Sequence, residues 1–135
     1  MTMLNKKTKI VLLFWSPVIF WMAFIFFLSS MPGYYFPNPP FPYFDKIIHF
    51  VEYSILGVLL MRAFLHSNFQ GTILRLSLFS CILASLFAIS DEWHQTFVPD
   101  RSGEWSEVLC DVIFSMIAIY FYTRTSRISD IPTSK

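Results

Sequence analysis

With 135 residues, the chain holds one compact unit and is too short for two ordinary domains. Hydrophobic residues make up 55%, aromatics 19% and charged residues only 14%, against roughly a quarter charged in a soluble domain, so this surface cannot all be meeting water. A formal net charge of +1, with no basic stripe carrying interleaved stacking aromatics, sets nucleic acid aside as a partner.

Lys6, Lys7 and Lys9 precede the first apolar run, residues 10–28. A secretion signal has the same basic start, but its apolar core spans about 7–15 residues and ends at an A-x-A-like site. Here the run is 19 residues long and no such site follows, so it reads as a retained first span. Pro17 lies inside it and predicts a kink, which membrane helices tolerate when neighbours satisfy the released carbonyl.

Segment 29–44, SSMPGYYFPNPPFPYF, holds five of the eight prolines. Proline fixes its own φ and disfavours helix in the residue before it, so this stretch is predicted to be extended and stiff. Its Tyr and Phe residues suit a membrane–water interface. It is either a rim loop with an aromatic belt or a lid over the polar site described below.

An apolar helix needs about 20 residues to cross roughly 30 Å of hydrocarbon. Three further stretches qualify, at about 45–65, 71–90 and 104–123, with a short turn at 66–70 and a richer loop at 91–103. The predicted fold is therefore all-α, a polytopic membrane bundle of four transmembrane helices forming one domain over 1–135. Eight of the ten basic residues (Lys6, Lys7, Lys9, Arg62, Arg75, Arg124, Arg127 and Lys135) fall at one end, leaving Lys46 and Arg101 at the other. The positive-inside rule then makes both termini cytoplasmic. Of the nine acids, Asp130 alone joins the basic end. Cys81 and Cys110 lie in apolar stretches and read as buried small hydrophobes, not as a metal or redox pair.

The remaining acids gather at the other end. At 100° per residue, Asp45, His49 and Glu52 fall within about 60° of each other on the second span, with Tyr53 beside them. Lys46 reads as an interface residue. Glu52 stands roughly 10 Å deeper than Asp45, where a carboxylate costs several kcal/mol unless paired, hydrated or protonated. On the fourth span Glu104, Glu107, Asp111 and Ser115 are spaced 3, 4 and 4, a second descending stripe. If the third helix continues through Gln95, Asp91, His94 and Gln95 share a face and Glu92 flanks it; Asp91 is otherwise a plain helix-end residue. Pro99 and Gly103 predict a turn before the fourth span.

The stripes are expected to face each other around a water-accessible, extracytoplasmic pocket. Eight acids against Lys46 and Arg101 give this end a formal balance of −6, a crowding of like charge under which several carboxyls are expected to hold protons. No cofactor motif is present; the crowd can attract a divalent cation, with His49, His94 and carboxylates as ligands. Arg101 is either a bidentate partner of a carboxylate or a contact for a lipid phosphate.

The pattern Asp45-Lys46-x-x-His49-Phe50-x-x-Tyr53, followed by Asp91-Glu92-x-x-Gln95, Pro99 and Arg101, resembles the signature of VanZ-like membrane proteins. Ser29-Ser30-Met31-Pro32 after the first span resembles that family too, and the likeness covers nearly the whole chain. After the arginine the family usually has an Asp, an Asn four residues later and a Gly three beyond that. This sequence has Glu107, Asp111 and Phe114, an added carboxylate and the loss of a small residue that permits close helix approach. The resemblance implies an association with resistance to teicoplanin-type glycopeptide antibiotics and supplies no mechanism.

Four functions are expected to compete. The leading one is an accessory membrane protein whose pocket binds or alters a lipid head group or lipid-linked wall precursor. Asp45, Lys46, Tyr53, Gln95, Arg101, Glu107 and Asp111 would be the binding residues. The second is a hydrolase or transferase acting on lipid head groups. His49 would be its general base, oriented by Asp45 or Glu52, with Glu92 or Asp91 as acid partner; Ser29 and Ser30 are weak nucleophile candidates. The third is a proton or ion path through Glu52 and Asp111, disfavoured because the inner halves of the spans hold few polar residues. The fourth is a structural assembly partner whose polar residues only lock helices together.

Overall fold

The computed structural model describes residues 5–35, 43–67 and 69–126, the side chain of Lys7 apart. Arg127, Asp130 and Lys135 lie outside the described residues, as do residues 36–42 of the proline-rich segment, and with them the expected rim loop or lid. Among the described residues every regular element is helical. Four helices, Thr8–Ser29, Phe44–His66, Ile73–Gln95 and Trp105–Thr125, are long and apolar enough to cross a membrane. They are called spans one to four below. The all-α, four-span architecture is the expected one.

The expected kink at Pro17 takes a particular form. Proline has no N–H to give, and its ring crowds the carbonyl four residues back. The chain widens into a π-helical turn over Val11–Trp15, where the Ser16 amide donates to the Val11 carbonyl, before α-helix resumes at Ser16–Ser29. The Ser16 hydroxyl donates to the Leu12 carbonyl, taking up part of what the interruption releases.

Span three runs five residues past the apolar run, to Gln95. Its apolar composition ends at Ser90, but Asp91, Glu92 and Gln95 are buried and bonded inside the bundle, so the helix has no reason to stop there. The turn expected around Pro99 follows, with Asp100 at φ 56 in the left-handed region that aspartate tolerates.

Gly33 lies against this turn. Its amide donates to the Pro99 carbonyl at 3.0 Å, and a Cβ placed on it would stand 2.0 Å from the Asp100 carbonyl oxygen. Both partners are backbone and neither can swing aside. Gly33→Ala is therefore expected to push the 96–104 loop away from the end of span one and to lower stability by about 1–3 kcal/mol. Thermal unfolding of the purified protein in detergent measures this.

The helices alternate in direction, so the start of span two meets the start of span four, while its end meets the start of span three. The most intimate pair is spans two and four. They cross at Gly57, where a Cβ would be 2.8 Å from the Ser115 carbonyl oxygen. Phe114 in place of a glycine therefore does not bar close approach. The small residue sits on the opposite helix, and Phe114 packs edge-on against Phe50 at 5.1 Å.

Val18, Ile25, Tyr53, Leu56, Leu60, Ala84 and Ala88 form the central core. Met61, Phe64, Leu76 and Ile119 form a second apolar cluster toward the basic end. Outward faces carry Phe20, Leu74, Leu109 and many similar side chains, a surface that suits acyl chains and not water. At the opposite end Tyr43, Trp93, Phe97 and Trp105 are each more than two-thirds exposed, as an interfacial aromatic belt requires.

Candidate functional site

The polar stripes of spans two, three and four meet inside the bundle at the end away from the basic residues. His49, Glu52, Asp91, Glu92, Gln95, Glu107 and Asp111 are all buried, with Asp91 at 1% and Asp111 at 0% exposure. This is a high concentration of charge-bearing groups for a helical interior, and geometry shows how each is held.

His49 is the centre. Its Nδ1 lies 3.1 and 3.2 Å from the two carboxylate oxygens of Asp111, and its Nε2 lies 3.4 Å from Glu107. The ring is thus set between two carboxylates of span four. Asp45 and Glu52, the expected orienting partners, do not fill that role. Spacing of three or four brings side chains together along one helix, but the facing stripe of span four offers carboxylates square to the ring. Asp45 is exposed at the mouth, beside Glu107. Lys46 is also drawn in: its Nζ is 3.8 Å from Glu107, so it is more than an interface residue.

Asp91 accepts from the Ser29 hydroxyl at 2.8 Å and from Gln95 Nε2 at 3.3 Å, both on Oδ2. It is not a plain helix-end residue. The same Gln95 amide reaches Glu92 Oε1 at 3.3 Å, and Glu92 Oε2 accepts the Glu104 backbone amide at 2.9 Å. Glu92 therefore lies within the cluster and does not merely flank it. Gly103 makes this possible, since a Cβ there would stand 2.4 Å from the Glu92 carbonyl oxygen. Glu104 itself is exposed and leaves the buried stripe to Glu107, Asp111 and Ser115.

His94 leaves the cluster. It stacks on Phe26 at 4.4 Å and its Nε2 lies 3.0 Å from the Ser30 hydroxyl. The Ser30 hydroxyl also has the Phe26 carbonyl as an acceptor at 2.6 Å, closer than the His94 ring, which draws its proton away from that imidazole. Ser29 likewise directs its hydroxyl toward Asp91 and the Ile25 carbonyl. Arg101 places Nε on the Met31 carbonyl and an Nη on the Leu28 carbonyl, both at 3.3 Å, where the end of span one exposes its acceptors. Glu52 is within electrostatic reach of His49, Asp91, Asp111 and Arg101, and its backbone carbonyl accepts the Trp21 indole. Glu52 and Asp111 are thus gathered into one cluster.

Tyr53, fully buried, lies parallel to the His49 ring with centroids 6.2 Å apart. Among the described residues its hydroxyl finds no hydrogen-bond partner, and neither does Asp91 Oδ1. The Ser29 donor was legible only as a serine pair at a span's end; the Trp21 and Glu104 contacts involve backbone atoms and leave no sequence signal. A groove of about 260 Å³ opens between spans three and four, walled by Ile89, Trp93, Thr96 and Trp105, with Glu92 and Glu104 on its lining. Glu92 therefore belongs both to the groove and to the buried cluster.

Chemically, the arrangement can hold or move a proton between two carboxylates through one imidazole, and it can receive a cationic or hydroxyl-bearing group. A family model described as VanZ/LLP1 matches residues 14–128. No curated protein and no solved structure matches the chain at a significant level.

Proposed function

The chain belongs to the VanZ/LLP1 family, and on that premise we propose that its polar cluster faces the outside of the cell membrane and binds or alters an envelope lipid head group or lipid-linked wall precursor, contributing to glycopeptide resistance of the teicoplanin type. The observation that carries this is the joining of the buried cluster, through Glu92, to a groove with largely apolar walls. A lipid chain lies in such a groove beside Trp93 and Trp105, and its head group reaches the carboxylates. Amines and hydroxyls meet Glu92, Glu107 and Asp111, while an anionic group meets Lys46 at the mouth. Arg101 serves by fixing the end of span one.

The sorting of Lys and Arg to the other end supports cytoplasmic termini. The test compares envelope lipids and teicoplanin susceptibility in cells carrying no protein, the natural chain or His49→Gln. The expected result is a change in lipid or precursor composition with the natural chain, lost in the variant at equal protein level. A reporter fused after residue 135 that is found outside the cell overturns the reading.

A hydrolase or transferase is the second reading, favoured by His49 being held between Asp111 and Glu107. In that case a cluster carboxylate activates water and His49 relays the proton between Asp111 and Glu107, because the hydroxyls of Ser29 and Ser30 are committed to acceptors. Turnover of the altered lipid by purified protein separates the two readings.

A further inference from the structure

The cluster's chemistry points beyond head-group contacts. One ligand atom each from His49, Glu92 and Asp111 lies within 4.8 Å of the others, and all three residues are buried. They come from three different helices, so the grouping is made by tertiary packing and not by one helix's periodicity. We propose that His49, Glu92 and Asp111 form a divalent-cation site of the class that takes Zn²⁺ or Mn²⁺.

Two independent features point the same way. Tyr53, with 0% exposure, ends in a hydroxyl without an acceptor among the described residues, in electrostatic reach of Asp91, Asp111, Glu52 and Glu92. Asp91, at 1% exposure, has no donor to Oδ1 among the described residues while Oδ2 takes Ser29 and Gln95. A buried hydroxyl and a buried carboxylate oxygen are rarely left unsatisfied, since each costs about 1–3 kcal/mol. A cation held by these three residues answers both from one step away: water on it donates to Asp91 Oδ1, and the Tyr53 hydroxyl donates to a coordinated carboxylate or water, as groups behind metal ligands do.

Charge argues likewise. Five buried acids, Glu52, Asp91, Glu92, Glu107 and Asp111, surround one imidazole, with Lys46 at the lip and Arg101 in electrostatic reach of Glu52, still an excess of negative groups. Two positive charges in the middle relieve that excess. One imidazole with carboxylates is a borderline-to-hard donor set, suited to Zn²⁺ or Mn²⁺. Metal bonds of about 2.0–2.2 Å would draw the three ligand atoms inward by roughly 1 Å, within side-chain rotation. Glu107 and Gln95 then hold His49 Nε2 and Glu92 in place.

The test uses the full chain, purified in detergent without a polyhistidine tag, stripped with chelator and titrated with Zn²⁺ and Mn²⁺. The expected result is one ion per chain, a rise in melting temperature, and an X-ray absorption spectrum showing a single histidine with oxygen ligands. Affinity is expected to fall at least tenfold in His49→Gln and in Glu92→Gln, and to be unchanged in His94→Gln and in the Cys81→Ser/Cys110→Ser double variant. Failure to retain an ion, sulfur ligation, several histidines per ion, or full affinity in Glu92→Gln overturns the site. If His49→Gln fails to accumulate, Glu92→Gln and the natural chain's spectrum decide. Ion binding with no lipid or antibiotic phenotype would leave this site standing and remove the head-group reading.

Discussion

Gly57→Leu is expected to leave almost no folded protein in the membrane. Spans two and four meet backbone to backbone at this residue, with room for hydrogen and nothing more: a Cβ would be 2.8 Å from the Ser115 carbonyl oxygen and 3.1 Å from its Cα. Between membrane helices there is little hydrophobic driving force, because lipid is as apolar as leucine, so close approach by small residues carries much of the association. Gly57→Ala already forces the crossing apart and is expected to cost about 1–3 kcal/mol. Leucine adds three more carbons in the same gap and also separates His49 from Asp111. Gly71→Ala is the control, since its Cβ would meet only the mobile Arg75 side chain at 3.2 Å. Protein level and thermal unfolding measure the series; a stable Gly57→Leu protein would mean that spans two and four do not cross here.

Asp111→Leu is expected to be the most damaging change among the polar residues. Asp111 is fully buried and accepts from His49 with both oxygens. Its loss leaves the buried His49 Nδ1 without an acceptor, at about 1–3 kcal/mol, while Glu107 still faces Nε2. Asp111→Asn preserves shape and one acceptor for the imidazole, so its cost is expected to be about 1 kcal/mol. A reversible unfolding assay in bicelles, comparing the two variants, gives the difference directly. Equal stability of the two would show that His49 does not depend on this carboxylate.

The sequence and the structure agree most closely where physics is one-dimensional. Span positions follow from runs of apolar residues, and the observed bounds differ from 10–28, 45–65, 71–90 and 104–123 by five residues at most. The largest difference, at the end of span three, arises because hydropathy registers composition, whereas the helix continues as long as its polar side chains find partners within the bundle. The descending stripes on spans two and four were legible because helical periodicity alone puts Glu52, Glu107 and Asp111 on inward faces. What periodicity cannot supply is rotation about each helix axis. That rotation sends His94 to Ser30 and Phe26 while Glu92 joins the cluster, and it pairs His49 with span four and not with its own helix neighbours. Arg101 was legible as an important cation, but its carbonyl acceptors carry no side-chain signature.

Span one has apolar side chains on every side and most of them point away from its neighbours. Lipid therefore solvates it nearly as well as protein does, and burial cannot fix how far it sits up or down beside spans two and three. Five directional bonds do so: Trp15 to the Ser67 hydroxyl, Trp21 to the Glu52 carbonyl, Ser29 to Asp91, and Arg101 to both Leu28 and Met31. Asp91 thus doubles as a positional pin, one carboxylate that belongs to the polar interior and also helps to set the vertical alignment of the helix beside it.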